Sequence, residues 1–327
     1  MAPPVLKPLA LKPGGRIAVI APASSAKAER IDSGISALRG FGYELVEGRH
    51  LRGRAPQYFS GAVEERVEDF HTAFADPAVD AVFCSRGGYG SNYLLEHLDL
   101  GLVRQNPKPF FAYSDMTVLQ TWMLDRTGLV SFHGPMVAAD FYRQDGVHRA
   151  SFDAALTGCL AVLGEAEGLR TLRPGRVSGT LYGGCLSMLV SALGTPFSAQ
   201  TEGKLLFLED VNAKPYQIDR MLRQLILAGK LDGVMGIVFG EMLDCVSPVA
   251  NRPEAFGGNP GLTSEARSTP LEDMILRVLD WFDGPIGFGL RSGHVSRGNV
   301  TLPFGVEADL CLEDRPALRF LEPAVRN

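Results

Sequence analysis

The feature that most constrains the fold is an alternation of strand and helix signals over the first half of the chain. Short β-branched or aromatic runs at residues 16–21, 80–85 and 109–113 each end at a Ser-rich or Gly-rich turn. Between them, residues 61–75 place apolar side chains on one helical face and acidic side chains on the other. Strands that alternate with helices in this way predict a parallel sheet with helices on both faces. Ligands of such sheets bind at the carboxyl ends of the strands.

The second half of the chain lacks this alternation. One strong helical pattern covers residues 218–228, whereas residues 164–179 resemble a linker because they show no apolar period. The irregular segment 245–269 has the length of loops that are usually functional or mobile. The strand-like runs of this half are unevenly spaced, at residues 204–208, 236–239 and 300–302.

We expect two domains, since 327 residues is about the length of two average domains. The first, residues 1–165, is predicted to be an α/β domain with a doubly wound parallel sheet. The second, residues 166–327, is predicted to be a β-rich domain of mixed α+β type. The hydrophobic share of 46% supplies enough apolar material for a core in each half.

Charge and cysteine usage exclude several classes of protein. The net charge of −5, without a basic run, argues against a nucleic-acid or anionic membrane surface. The five cysteines form no C-x-x-C pair, which is typical of reduced thiols in a reducing compartment. No signal peptide is visible, and the charge-free stretch 177–201 is too rich in Gly, Pro, Ser, Thr and Gln to span a membrane. We therefore expect a cytoplasmic protein with no nucleic-acid and no membrane partner.

A serine stands where an apolar strand changes abruptly into a helix, in the segment FFAYSDMTVL. At such a turn the Ser114 hydroxyl projects above the sheet edge, and N–H groups of the following helix can stabilise an oxyanion. The segment departs from the nucleophile motif G-x-S-x-G, because Ala112 and Met116 replace the glycines. Ser114 or Asp115 could equally be a helix N-cap.

A glycine-rich segment, SRGGYG at residues 85–90, follows the apolar strand 80–85. Three glycines within four residues allow backbone N–H groups to approach an oxyanion or a phosphate closely. The segment matches neither of the common nucleotide-binding glycine motifs. A tight turn that needs positive φ explains the glycines equally well.

Two further segments supply an acid and a base. Glu209 and Asp210 end an apolar strand, where a buried carboxylate could orient a histidine or form a structural salt bridge with an arginine such as Arg220. His294 lies in the loop SGHVSRGN, and its ordinary pKa suits a general base, although a lone loop histidine is often only a surface residue. His133, in SFHGPM, is interpreted as structural or as supporting the site. The histidine and cysteine spacings show no ligand set, so we expect no metal and no other cofactor.

Together the segments provide Ser114, Glu209 and His294 with a glycine loop, which is the inventory of acyl transfer by a catalytic triad. The three residues are far apart in the chain, so the triad requires tertiary assembly. With the serine on one domain and the acid and base on the other, the site would lie in the cleft between them.

The chain resembles the LD-carboxypeptidases, serine peptidases that include the microcin C immunity peptidases. The matching segments run in the family's order from about residue 16 to 310 and include RIAVIAPASS, AVFCSRGGYGSNYLL, FAYSDMTVL, FHGPM, LLFLEDVNAKPYQIDRMLRQL and GHVSRGNVTLPFGVEADL. The resemblance implies that Ser114 is the nucleophile, Glu209 the acid and His294 the base. It also implies an oxyanion hole made by the N–H groups of Asp115 and Gly88, and a swivelling β-rich second domain.

The resemblance further implies an activity: release of the terminal D-alanine from murein tetrapeptide in cell-wall recycling, with the murein peptide as the partner. The chain departs from the family pattern at Ala112, where glycine is usual, at Cys185, where asparagine is usual, and in the long 245–269 segment. The first two departures are compatible with packing changes. The third leaves the choice of substrate open.

Two alternatives remain at this point. An immunity-type peptidase that cleaves aminoacyl-nucleotide antibiotics would need an aromatic platform for the base, and the 245–269 segment offers only Phe256. A non-catalytic small-molecule binding protein would not need all three triad residue types. The sequence leaves open the diamino acid of the substrate and the oligomeric state, and it allows a homodimer.

Arg86 is the candidate for binding the terminal carboxylate of the substrate, since it precedes the glycine loop. An exopeptidase needs a cation or a set of N–H donors for this group. Arg86 could instead pair with an acid and only shape the loop.

Overall fold

Two β-sheets of different kinds organise the molecule, which we describe from a computed structural model covering residues 3–245 and 270–327. Most of the irregular segment 245–269 therefore lies outside the described residues. The strands are β1 (Arg16–Ile20), β2 (Glu44–Glu47), β3 (Ala81–Cys84), β4 (Phe110–Ala112), β5 (Ser131–His133), β6 (Val162–Gly164), β7 (Arg170–Arg173), β8 (Arg176–Cys185), β9 (Lys204–Glu209), β10 (Gly236–Gly240), β11 (Ile286–Leu290), β12 (Leu302–Phe304), β13 (Glu307–Cys311) and β14 (Ala317–Phe320). The helices are α1 (Ala28–Gly40), α2 (Val63–Ala75), α3 (Leu100–Gln105), α4 (Thr117–Thr127), α5 (Arg149–Thr157), α6 (Leu186–Ser191), α7 (Pro215–Leu227) and α8 (Pro270–Val278).

The first sheet has the strand order β12-β5-β4-β3-β1-β2. Strands β1 to β5 are parallel, and β12 adds an antiparallel edge. Along β1, Ile17 and Val19 pack with α1, whereas Ala18 and Ile20 on the opposite face pack with α2. Burial of each isoleucine or valine among them contributes about 1.5–3 kcal/mol. Helices thus cover both faces, which confirms the predicted doubly wound α/β domain.

The second sheet has the order β6-β14-β13-β8-β9-β10-β11-β7. Strands β8 to β11 are parallel, and the remaining strands are antiparallel to their neighbours. Helix α7 begins with Pro215, which suits a first helical turn, and its Ile218 and Leu222 pack against Leu206 and Leu208 of β9. The mixed, β-rich character that the sequence predicts is confirmed.

The interpretation of residues 164–179 as a linker is wrong, because β7 and the beginning of β8 lie there. Strand β7 is the edge of its sheet, and the first residues of β8 are largely exposed. Arg176 of β8 pairs with Asp309 of β13 at 3.0 Å. Half-exposed strands that carry arginines show no apolar period, so the sequence pattern misses them.

The chain crosses between the sheets in both directions. Strand β6 joins the second sheet shortly before the expected boundary at residue 165, and β12 returns to the first sheet. One of the apolar clusters extends between the sheets, with Phe132 and Phe304 of the first sheet on one side and Phe207 of the second on the other. The domain limits 1–165 and 166–327 remain a prediction.

No helix in the described part of the chain combines the length and the apolar character needed to cross a membrane. All five cysteines lie in this part, and each is a free thiol.

Candidate active site

Ser114 lies just beyond β4, at the first residue of a 3₁₀ turn, Ser114–Met116, that leads into α4. Its φ of 66° is in the left-handed region, which residues other than glycine rarely adopt. Such a conformation costs about 1–3 kcal/mol and persists only where the surroundings enforce it. The N-cap positions of the turn and of α4 are Tyr113 and Met116, without a side-chain cap. Ser114 is therefore not an N-cap, and its hydroxyl is free for another use.

The glycine loop packs directly on this serine, because β3 and β4 are neighbours in the sheet. A Cβ atom at Gly87 would lie 2.8 Å from Ser114 Cβ and 2.9 Å from Ser114 Oγ, so only glycine fits. Gly88, with a φ of 101°, faces Ser24 instead. Gly87 is thus the glycine that contacts the serine, and the sequence could not distinguish it from its neighbours.

Two backbone N–H groups of this region remain available to a bound group. The Gly87 carbonyl accepts a hydrogen bond from the Ser24 N–H at 3.3 Å, so the following N–H, that of Gly88, points in the opposite direction. Neither the Gly88 N–H nor the Asp115 N–H donates to another described residue. The Asp115 carboxylate and carbonyl accept hydrogen bonds from Ser91, at 2.8 and 2.6 Å, which fix the turn.

Glu209, which is fully buried at the end of β9, and His294, which is partly exposed in the loop after β11, form a hydrogen-bonded pair. Glu209 Oε2 accepts hydrogen bonds from His294 Nδ1 at 2.7 Å and from the His294 backbone N–H at 3.0 Å. Glycines make room for the carboxylate: a Cβ at Gly293 would lie 2.6 Å from its carboxyl carbon. Of the two partners considered for Glu209, the histidine is the one observed. Arg220 instead lies over the Tyr216 ring.

Each member of this pair changes the pKa of the other. Burial alone would raise the pKa of Glu209, but the charge and hydrogen bonds of His294 lower it below its ordinary value. Burial alone would lower the pKa of His294, but the Glu209 carboxylate raises it above its ordinary value. Because Glu209 engages Nδ1, Nε2 is the nitrogen left to accept a proton from another group.

Tyr113 connects this pair with the serine. It immediately precedes Ser114, and its ring lies edge-on to the His294 ring at a centroid distance of 5.2 Å. Its hydroxyl lies near Asp140, and burial raises the pKa of Asp140 to about 6. The imidazole therefore lies beside the serine turn. Tyr113 belongs to the segment FFAYSDMTVL, so its proximity to Ser114 could have been expected, whereas Asp140 carries no sequence signal of a site.

The loop that carries His294 is firmly held. The Gly293 N–H donates to Asn299 Oδ1 at 3.0 Å, and Asn299 Nδ2 donates to the Gly293 carbonyl at 3.1 Å. Arg143 donates to the carbonyls of Val295 and Ser296. Asn299 belongs to the SGHVSRGN segment, so its proximity to the histidine could have been expected.

Cys185, opposite Glu209 at the end of β8, ties the second sheet to a helix of the first domain. Its backbone N–H donates to Thr117 Oγ1 at 3.0 Å, which ties the end of β8 to the first turn of α4. Burial raises the pKa of the Cys185 thiol well above its ordinary value, so the group stays neutral.

Arg86 is half-buried at the glycine loop. Its Nη2 atom lies 3.4 Å from the position that a Cβ on Gly88 would take. Among residues 3–245 and 270–327, no carboxylate forms an ion pair with Arg86. The same part of the chain contains no cluster of three or more His, Cys, Asp or Glu residues that could hold a metal ion.

Family models and several known proteins match most of this chain. Models of the LD-carboxypeptidase N-terminal and C-terminal domains match residues 17–134 and 178–310. A Bacillus subtilis (strain 168) protein named probable murein peptide carboxypeptidase is 37% identical, over 95% of this chain and 93% of its own. The microcin C7 self-immunity protein of Escherichia coli is 27% identical, over 90% of this chain and 89% of its own. The crystal structure of muramoyltetrapeptide carboxypeptidase from Oxalobacter formigenes superposes with a TM-score of 0.77 at 30% identity, covering 93% of this chain and 98% of that one.

Proposed function

Because the chain belongs to the LD-carboxypeptidase family and is a serine carboxypeptidase, we propose that it releases the terminal D-alanine from murein tetrapeptide in cytoplasmic cell-wall recycling. The observation that carries the proposal is the hydrogen-bonded pair of the buried Glu209 and His294, whose Nε2 is not engaged by Glu209, beside the strained turn of Ser114. The murein names of the relatives support the choice of substrate.

In the proposed reaction, His294 Nε2 takes the proton of Ser114 Oγ while Oγ attacks the carbonyl carbon of the penultimate, diamino acid residue. The carbonyl oxygen becomes an oxyanion, which the N–H groups of Asp115 and Gly88 would stabilise. His294 then returns the proton to the amine of D-alanine, the C–N bond breaks, and an ester on Ser114 remains. Water, deprotonated by His294, attacks the ester carbon, the C–Oγ bond breaks, and Ser114 Oγ takes the proton back from His294. Glu209 stabilises the imidazolium at both stages.

Arg86 would recognise the free carboxylate of the terminal D-alanine. It borders the glycine loop beside Ser114, and no acid in the described part of the chain neutralises it. A guanidinium presents two parallel N–H donors to a carboxylate, which favours a chain end over an internal peptide bond.

The test is incubation of the purified protein with UDP-linked murein tetrapeptide and detection of D-alanine by mass spectrometry. With the native protein we expect one molecule of D-alanine for each tetrapeptide consumed. With Ser114→Ala we expect none. A parallel incubation with an aminoacyl-sulfamoyl nucleotide tests the alternative activity, cleavage of aminoacyl-nucleotide antibiotics by an immunity-type peptidase. Cleavage of the nucleotide compound without release of D-alanine would contradict the proposal.

A further inference from the structure

His133 is a fully buried histidine at the end of β5 that faces the second oxygen of Glu209. Its Nε2 lies 3.9 Å from Glu209 Oε1, whereas His294 engages Oε2. On its other side, His133 Nδ1 lies 3.0 Å from the hydroxyl oxygen of Ser292. In the described part of the chain, neither His133 Nε2 nor Glu209 Oε1 has a hydrogen-bond partner. Two buried polar atoms thus face each other across a short distance.

The Ser292 hydroxyl determines which nitrogen of His133 carries the proton. Burial lowers the pKa of His133 to about 4, so the ring is neutral at pH 7 and has one N–H. Ser292 Oγ lies 2.7 Å from the Val300 carbonyl oxygen and 3.0 Å from His133 Nδ1, and it has one hydrogen to donate. Donation to Val300 leaves the Nε2 lone pair facing the carboxylate. Donation to Nδ1 places the proton on Nε2, facing Glu209.

The second arrangement is favoured electrostatically. A buried carboxylate oxygen without a donor is costly, and a lone pair aimed at it adds repulsion. Interactions with a charged acceptor are about twice as strong as a bond between neutral groups, such as the one from Ser292 to Val300. At 3.9 Å the N–H acts on Glu209 Oε1 as a dipole on a charge, and a shift of about 1 Å would complete the hydrogen bond.

We propose that His133 is a positioning residue that presents its Nε2–H to Glu209 Oε1 and so holds Oε2 toward His294. The inference rests on the proposed triad and adds a residue that acts through Glu209 rather than on Ser114. It predicts a chain of four groups, Ser292, His133, Glu209 and His294, that ends at the base.

Other titratable groups surround this chain. Asp140 and Asp210 act on His294, Tyr113 contacts both imidazoles, and the thiols of Cys185 and Cys245 lie within electrostatic range of Glu209. None of them donates a hydrogen bond to Glu209 Oε1 among the described residues. They remain unchanged in the variants below, so a shift in pH dependence would originate at position 133.

The direct test is the tautomer of His133 in the native protein, measured by ¹⁵N NMR of the imidazole nitrogens with assignment from a His133→Gln variant. We expect Nε2 to be protonated and Nδ1 to be the acceptor at pH 7. Protonation at Nδ1 would overturn the inference. This readout needs no catalysis, and therefore it is independent of the triad: an active Ser114→Ala enzyme would refute the proposed function and leave the tautomer result standing.

A second test compares two variants that differ in donor capacity. His133→Phe keeps a ring without a donor, and we expect a ten- to hundredfold loss in kcat with little change in KM. The acid limb of this variant's pH–rate profile should move to higher pH. Without the His133 N–H, Glu209 attracts the proton on His294 more strongly and so raises the pKa of His294. His133→Gln places an amide N–H near the former Nε2 and should recover most of the rate. Equal losses in both variants, with an unmoved acid limb, would show a packing role only.

Discussion

The two halves of the candidate site are held by different forces. On the first sheet, backbone geometry positions Ser114: a left-handed φ, a glycine in contact with its side chain, and hydrogen bonds from Ser91 to the next residue. On the second sheet, charge and hydrogen bonding position His294, through a fully buried Glu209. The position of Ser114 should therefore be sensitive to added volume, whereas the position and pKa of His294 should be sensitive to altered charge.

The largest expected effect is the loss of the nucleophile. Ser114→Ala should lower kcat for D-alanine release by about 10⁶-fold, because the triad acts as a unit. Ser33→Ala, on the exposed face of α1, is the matched control and should leave the rate unchanged. If Ser114→Ala keeps even a hundredth of the native rate, Ser114 is not the nucleophile.

The next largest effect concerns the charge beside the glycine loop. Arg86→Ala should lower kcat/KM by about 30-fold to several thousand-fold, equivalent to about 2–5 kcal/mol, because the carboxylate of the substrate loses its partner. Amidation of the substrate's C-terminus should cost the native enzyme a comparable factor and cost Arg86→Ala almost nothing more. An undiminished amidation penalty in the variant would place the carboxylate site elsewhere.

A smaller effect tests the sensitivity of the first half to volume. In Gly87→Ala the new methyl group would press on Ser114 Cβ and Oγ, and a displacement of about 1 Å can cost about 100-fold in kcat. Gly40→Ala is the matched control, since a Cβ at Gly40 meets nothing within 4 Å. Native-like kcat in Gly87→Ala, measured together with an unchanged Tm, would mean that the serine tolerates the contact.

The smallest effect concerns the charge of the second half and is read from the pH profile. His294 must be neutral to accept a proton, and Glu209 raises its pKa above the ordinary value of about 6.5. The log of kcat/KM should therefore fall with decreasing pH through a midpoint above 6.5. Glu209→Gln should move this midpoint to lower pH, whereas the exposed Glu44→Gln should not. An unchanged midpoint in Glu209→Gln would show that Glu209 does not determine the pKa of His294.

Much of this architecture could be predicted from local patterns. The alternation of strands and helices identified the first sheet, and residue type with local setting identified Ser114, Glu209 and His294 as candidates. The edge strand β7 was missed because its exposed arginines show no period. The contact of Gly87 with Ser114, and the meeting of Tyr113 with His294, depend on residues distant in sequence. No local pattern contains that information.

A double-mutant cycle measures whether Ser114 on the first sheet and His294 on the second form one catalytic unit. D-alanine release is measured for the native protein, Ser114→Ala, His294→Ala and the double variant, with purified proteins of matched Tm. If the serine and the histidine act as a unit, the double variant should be hardly slower than either single variant. If the losses of the two single variants multiply in the double variant, Ser114 and His294 contribute independently and do not belong to one triad.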